Sequence, residues 1–261
     1  MPHYRLYYAP GACSLAPHIA LEELQAAGFA DYATTRLLLP AGDQRRPEFL
    51  AVNPRGHVPV LSFRLDETPD ASAGTLTENL AILRFLATRH PEAKLLPGDA
   101  AGDARAWEWL SWLATDVHAH AFMQVFYPAR YAADGAAQAA VEASGRALLT
   151  RYWADLESRL PDGVLAPVGE AQGEDRAEER GYALGAFSVV DAYLIVFFRW
   201  AKRYGFAPQE RYPRWTALTM RTLARPAVQR VFAEERVSLD DPLPARPAVA
   251  VLHENLRENV A

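Results

Sequence analysis

The sequence predicts a chain of two unlike parts: an α/β domain over residues 1–90 and an all-α domain over residues 103–261. Three observations carry that prediction. Strand and helix signals alternate up to residue 90. Strand signals then vanish after residue 103, while helical periodicity continues. The stretch between holds Pro91, Pro97, Gly98 and Gly102 and few periodic positions, so residues 91–102 read as a linker.

Residues 4–9 form an apolar run that Pro10 and Gly11 break, which predicts a first strand. Residues 14–26 repeat apolar side chains at Leu15, Ile19, Leu21 and Leu24, the spacing of a helix. A second strand is expected over 33–39, rich in Thr and Leu, and a short helix over 45–53. Residues 58–65 and the neighbourhood of Thr75 read as a hairpin, joined by a long Asp-, Pro-, Ser- and Gly-bearing connection over 66–74. An amphipathic helix follows over 77–90, with Leu80, Ile82, Leu83, Phe85 and Leu86 on its apolar side. The order βαβ then ββα describes a small mixed sheet with helices packed on it. Beyond the linker, helices are expected over 104–126, 136–159, 189–204, 212–223 and 227–235. Residues 161–187, with a charged run over 174–180, read as an exposed excursion. The tail after Val237 bears several prolines and one further short helical signal over 253–258.

Composition narrows the function. A net charge of −5 argues against a nucleic-acid partner, which needs a concentrated basic face. The single cysteine, Cys13, leaves no internal disulfide framework and no thiolate metal site, and suits the reducing cytoplasm. The first residues, Met1-Pro2-His3-Tyr4-Arg5, lead straight into the strand, so no secretory signal is expected. The apolar run over 189–200 is interrupted by Asp191 and is shorter than the ~20 residues that span a bilayer. It reads as a buried helix, and no membrane partner is expected.

Three stretches carry chemistry. The first is Tyr8-Ala9-Pro10-Gly11-Ala12-Cys13-Ser14, which sets Cys13 at a strand-to-helix junction. Unpaired N–H groups and the positive end of the helix dipole favour a thiolate there, which predicts a depressed thiol pKa. The second is Asn53-Pro54-Arg55-Gly56-His57-Val58-Pro59. A cis Val58–Pro59 bond would turn the Val58 N–H and C=O outward to pair with a peptide-like ligand, whereas a trans bond would make an ordinary strand start. The third is Leu76-Thr77-Glu78-Asn79-Leu80 at a helix start. Its polar residues either cap the helix or receive a ligand carboxylate on free N–H groups and Asn79, with Glu78 accepting from the ligand's ammonium group.

In this order the three stretches resemble the glutathione-binding domain of the cytosolic glutathione transferases, and the Cys13 turn is most similar to the bacterial beta class. Two helical stretches add to the resemblance. One is Trp109-Leu110-Ser111-Trp112-Leu113-Ala114-Thr115-Asp116-Val117-His118. The other is Ser188-Val189-Val190-Asp191, similar to the capping box that opens the family's central buried helix. The resemblance implies a thioredoxin-like N-terminal domain, a C-terminal helical domain and glutathione as co-substrate. It implies a γ-glutamyl seat at Glu78 and Asn79 and a backbone contact at Val58 beside Pro59. It also implies that the glutathione sulfur lies near Cys13, with His118 facing that cysteine. Cys13, Ser14 and Tyr8 remain alternative donors to the sulfur. Asp191 and Ser188 are expected to be structural. The expected partners are glutathione and a small hydrophobic electrophile, in a homodimer. Thiol–disulfide exchange through Cys13 is a further expectation. A non-catalytic scaffold and a specialised lyase, such as a dehalogenase or etherase, share the same site and stay open.

Overall fold

A computed structural model describes residues 3–64, 73–166 and 181–242. Strand β1 (His3–Tyr8) pairs in parallel with β2 (Asp31–Arg36) and antiparallel with β3 (Val60–Arg64), which pairs antiparallel with β4 (Ala73–Thr77). The order β2-β1-β3-β4 is the mixed four-stranded sheet that the βαβ–ββα pattern requires. Helix α1 (Leu15–Ala26) crosses between β1 and β2, the short α2 (Pro47–Leu50) precedes β3, and α3 (Asn79–Arg89) follows β4. The predicted helix over 45–53 is cut back to one turn. Pro47 stands at its first position, and two 3₁₀ turns occupy the residues before it.

The helices that follow are α4 (Ala100–Trp112), α5 (Met123–Phe126), α6 (Gly135–Arg159), α7 (Val189–Arg203), α8 (Pro208–Arg211), α9 (Pro213–Leu223) and α10 (Pro226–Glu235). A π-helical stretch, Leu113–Phe122, joins α4 to α5 without a break. The charged run over 174–180, most of the 66–74 connection and the 253–258 signal lie outside the described residues. Among the described residues, no helix is long and apolar enough to cross a membrane.

Compactness divides the chain differently from the composition. Among the described residues, one unit holds 3–64, 73–110, 160–166 and 181–241, and the other holds Ser111–Arg159 with Pro242. Residues 91–102 fall within the first unit, and α7 and α10 both pack on α1. In the first unit α7 is the core. Every residue from Val189 to Ala201 is buried, including two charges, Asp191 and Arg199. Asp191 closes the predicted capping box: its carboxylate accepts from the Ser188 N–H at 2.8 Å, while Ser188 Oγ accepts from the Val190 N–H at 3.2 Å. In the second unit the π stretch and α5 pack on α6. The Phe122 ring lies 5.8 Å from that of Trp153, and Trp112 meets Tyr152 edge-on at 5.8 Å.

Candidate functional site

The turn from β1 into α1 is built around glycine and one hydroxyl. Gly11 has φ +64°, a left-handed conformation open to glycine, and a Cβ there would run into the Arg199 guanidinium. Ser14 is fully buried, and its Oγ accepts from the Ala9 N–H at 3.2 Å and donates to the Ala9 carbonyl at 3.1 Å. That hydroxyl ties the end of the strand to the start of the helix. The proton of this expected sulfur donor is thus engaged by Ala9. Alternation along β1 sends Tyr7 into the cluster of Phe49, Leu37, Val60 and Val58, and Tyr8 to the opposite face. On the opposite face the Tyr8 ring lies 5.0 Å from that of His18, tilted by 47°, and burial, then Glu235 and Glu234, raise its phenol pKa.

Cys13 is half-buried at the head of α1, and its S–H points at the Val58 carbonyl, 3.7 Å away. The Val58–Pro59 bond is cis. Among the described hydrogen bonds, none engages the Val58 N–H. Burial pushes the Cys13 thiol up to about 12. The N–H groups of Cys13 and Ser14 pull it down by less, and the charges of Glu78 and Glu235 add to the rise. This reverses the depressed thiol expected from the helix start. The N–H groups at the head of the helix still favour the thiolate, but loss of water around it outweighs them.

Glu78 precedes α3 with φ +70°, a conformation that a non-glycine residue holds at a cost of about 1–3 kcal/mol. Its carboxylate is exposed and pairs with the Arg55 guanidinium at 2.6 Å. Such an open ion pair contributes at most ~1 kcal/mol, so a ligand cation can displace Arg55. No side chain caps α3. The Asn79 amide does not reach outward as expected. Both of its polar atoms are buried without a well-formed hydrogen bond, beside the Tyr193 phenol. Burial raises that phenol well above its ordinary value; Cys13 adds to the rise and Asn79 opposes it.

His118 lies on the π-helical stretch of the second unit, half-buried, and burial pulls its imidazole down to about 4, so the ring is neutral at pH 7. His120 is exposed, as its place two residues on predicts. Sequence reasoning missed Arg55, His18, Glu235 and Arg199. His18 and Arg199 each put a charge-bearing side chain on an apolar helix face, and that was the available signal.

Behind the turn, Glu235 accepts from the Gly11 N–H at 2.7 Å and from His18 Nδ1 at 2.8 Å, with Glu234 3.6 Å from Nε2. Burial pulls the His18 imidazole down, but the two carboxylates outweigh it and lift the pKa from 6.5 to about 9. A raised folded pKa stabilises fully below pH 6.5, and the contribution is lost as pH rises through 9. Urea unfolding should therefore show a loss of about 3 kcal/mol between pH 6.5 and 9 in the wild type. The His18→Gln variant should lack that slope. Equal slopes in the two proteins would refute the assignment.

Comparison with known proteins follows the same lines. A family model described as "Glutathione S-transferase, N-terminal domain" matches residues 11–89. The chain is 30% identical over 234 residues to the glutathione S-transferase GstA of Escherichia coli O157:H7, covering 88% of this chain and 98% of the relative. A Sulfitobacter glutathione transferase homologue, solved with bound glutathione, superposes with TM-score 0.73 at 28% identity, over 90% of this chain and 99% of the other. A bacterial beta class glutathione S-transferase from Sphingomonas chungbukensis does so with TM-score 0.64 at 31% identity, over 90% and 100% of the two chains.

Proposed function

The chain belongs to the glutathione S-transferase family, and from that premise we propose that it conjugates glutathione to a small hydrophobic electrophile, with Cys13 acting as a neutral hydrogen-bond donor. The observation that carries the reading is the contact of the Cys13 S–H with the Val58 carbonyl, on the backbone beside the cis proline. Without ligand, the carbonyl occupies the thiol's proton. The cysteinyl N–H of glutathione takes over that carbonyl as an added strand does, and the Val58 N–H receives the ligand's carbonyl. The Cys13 S–H is then released to donate to the glutathione sulfur. A donor aimed at a thiolate lowers the pKa of the thiol that forms it. The glutathione proton leaves to solvent, the thiolate attacks the electrophilic carbon, and the leaving group departs with the electron pair of its bond.

The γ-glutamyl head fits the exposed Glu78 carboxylate for its ammonium group and the uncapped start of α3 for its carboxylate. We assign the Asn79 amide to shaping that helix start from within, Ser14 to fixing the turn and Tyr8 to the core behind it. His118 enters on the family resemblance, as a neutral ring able to accept one hydrogen bond and donate another. The homodimer and the cytoplasmic location belong to this proposal on the same ground. The raised Cys13 thiol favours conjugation over disulfide exchange, because exchange needs the thiolate.

Calorimetry with reduced glutathione, beside turnover with a chloronitroarene, tests the proposal. The wild type should bind glutathione and turn over, and Glu78→Gln should weaken binding about tenfold, the size expected for one charge-assisted hydrogen bond. No binding at millimolar glutathione would sink the reading and leave a scaffold.

A further inference from the structure

Arg199 is a buried cation in the C-terminal half of α7, and its hydrogen bonds among the described residues go to the Cys13 turn and to the segment after α10. Its Nη1 donates to the Gly11 carbonyl at 3.1 Å and its Nε to the Ser238 carbonyl at 3.0 Å, while Nη2 pairs with the Asp241 carboxylate. The neighbouring Trp200 Nε1 donates to the same Gly11 carbonyl at 2.9 Å. Asp241 is in turn fixed by the Ser238 N–H at 3.1 Å and Oγ at 3.2 Å, and Lys202 pairs with Asp240 on the same segment. Arg199 fills the space a side chain at residue 11 would need. The glycine, its left-handed backbone and the guanidinium therefore form one fitted unit.

We infer that Arg199 and Asp241 are a pair of positioning residues for the Cys13 turn, acting through the Gly11 carbonyl and coupling the segment 238–241 to the Cys13 thiol two residues on. A buried guanidinium keeps a fixed direction only while each of its forks has a partner. Without the Asp241 carboxylate, Arg199 turns towards other acceptors and withdraws from Gly11. The turn then opens, and Cys13 leaves the Val58 carbonyl.

The test compares wild type, Asp241→Asn, Asp241→Glu and Arg199→Lys in the full chain. Asp241 is partly exposed, so Asp241→Asn tests the clasp even if Arg199→Lys fails to fold. Alkylation of Cys13 by iodoacetamide, followed by intact mass, reads the turn without glutathione. Asp241→Asn should react about tenfold faster, as an opened site exposes the thiol, and Asp241→Glu should return towards wild type. The kinetic arm rests on the proposed conjugation: kcat should fall about tenfold while KM for glutathione moves less than twofold, because the Glu78 seat is untouched. A lowered melting temperature with unchanged alkylation and kcat would overturn the inference and leave the pair merely structural. If the wild type itself neither binds glutathione nor turns over, the proposed function fails and the alkylation arm alone decides the clasp.

Discussion

Mixed-disulfide formation between Cys13 and oxidised glutathione should be slow at pH 7 and accelerate about tenfold for each pH unit up to at least pH 10. The slope follows from the thiol. With its pKa near 12, the reactive thiolate is a minute fraction at neutrality and grows in proportion to hydroxide. The physical competition is between two known effects. The N–H groups at the head of α1 and the helix dipole stabilise the thiolate, while burial and the charges of Glu78 and Glu235 disfavour it. Intact-mass kinetics from pH 6 to 10, with Cys13→Ala as the blank, measures which wins. A rate that levels off near pH 7 would mean that the helix start wins and that Cys13 is a nucleophile at neutral pH. A log-linear rise supports its role as a proton-bearing donor.

What the sequence discloses about this chain is its periodicity, and what it conceals is burial. The four strands and the long helices begin and end near their expected places, since apolar spacing, Pro213 and Pro226 act locally. The motif at Val58-Pro59 is legible for the same reason. The thiol is not: a helix start looks identical in sequence whether water reaches it or not. The directions of Ser14 and Tyr8 are hidden too, one turned back on Ala9 and the other set beside His18. The π-helical stretch that carries His118 contains neither Gly nor Pro, so nothing local announces it. The packing of α7 and α10 on α1 is likewise hidden, because composition does not tell which helices meet. Arg199 was within reach of the sequence. It stands beside Trp200 at the end of an apolar run, and a cation in a buried helix demands partners.

Asp191 carries the largest expected effect on stability. It is fully buried at the start of α7, and its carboxylate accepts from the Ala183 N–H at 2.9 Å, the Ser188 N–H at 2.8 Å and the Ser188 hydroxyl at 3.1 Å. Replacement by alanine removes the acceptor for all three and leaves two backbone N–H groups in a dry interior. Each orphaned group costs about 1–3 kcal/mol, so the Asp191→Ala change should destabilise by ~3–5 kcal/mol. For a chain of this size that is a fall of roughly 10 °C in melting temperature, against 2–4 °C for Ser188→Ala, which orphans the single Val190 N–H. Because α7 also carries Tyr193, Arg199 and Trp200 to the back of the Cys13 turn, a frayed α7 start should weaken glutathione binding before global unfolding. Thermal unfolding beside glutathione calorimetry distinguishes the outcomes. Equal melting temperatures for Asp191→Ala and wild type would mean that Ala183 and Ser188 find other acceptors, and the capping box would not govern the core helix.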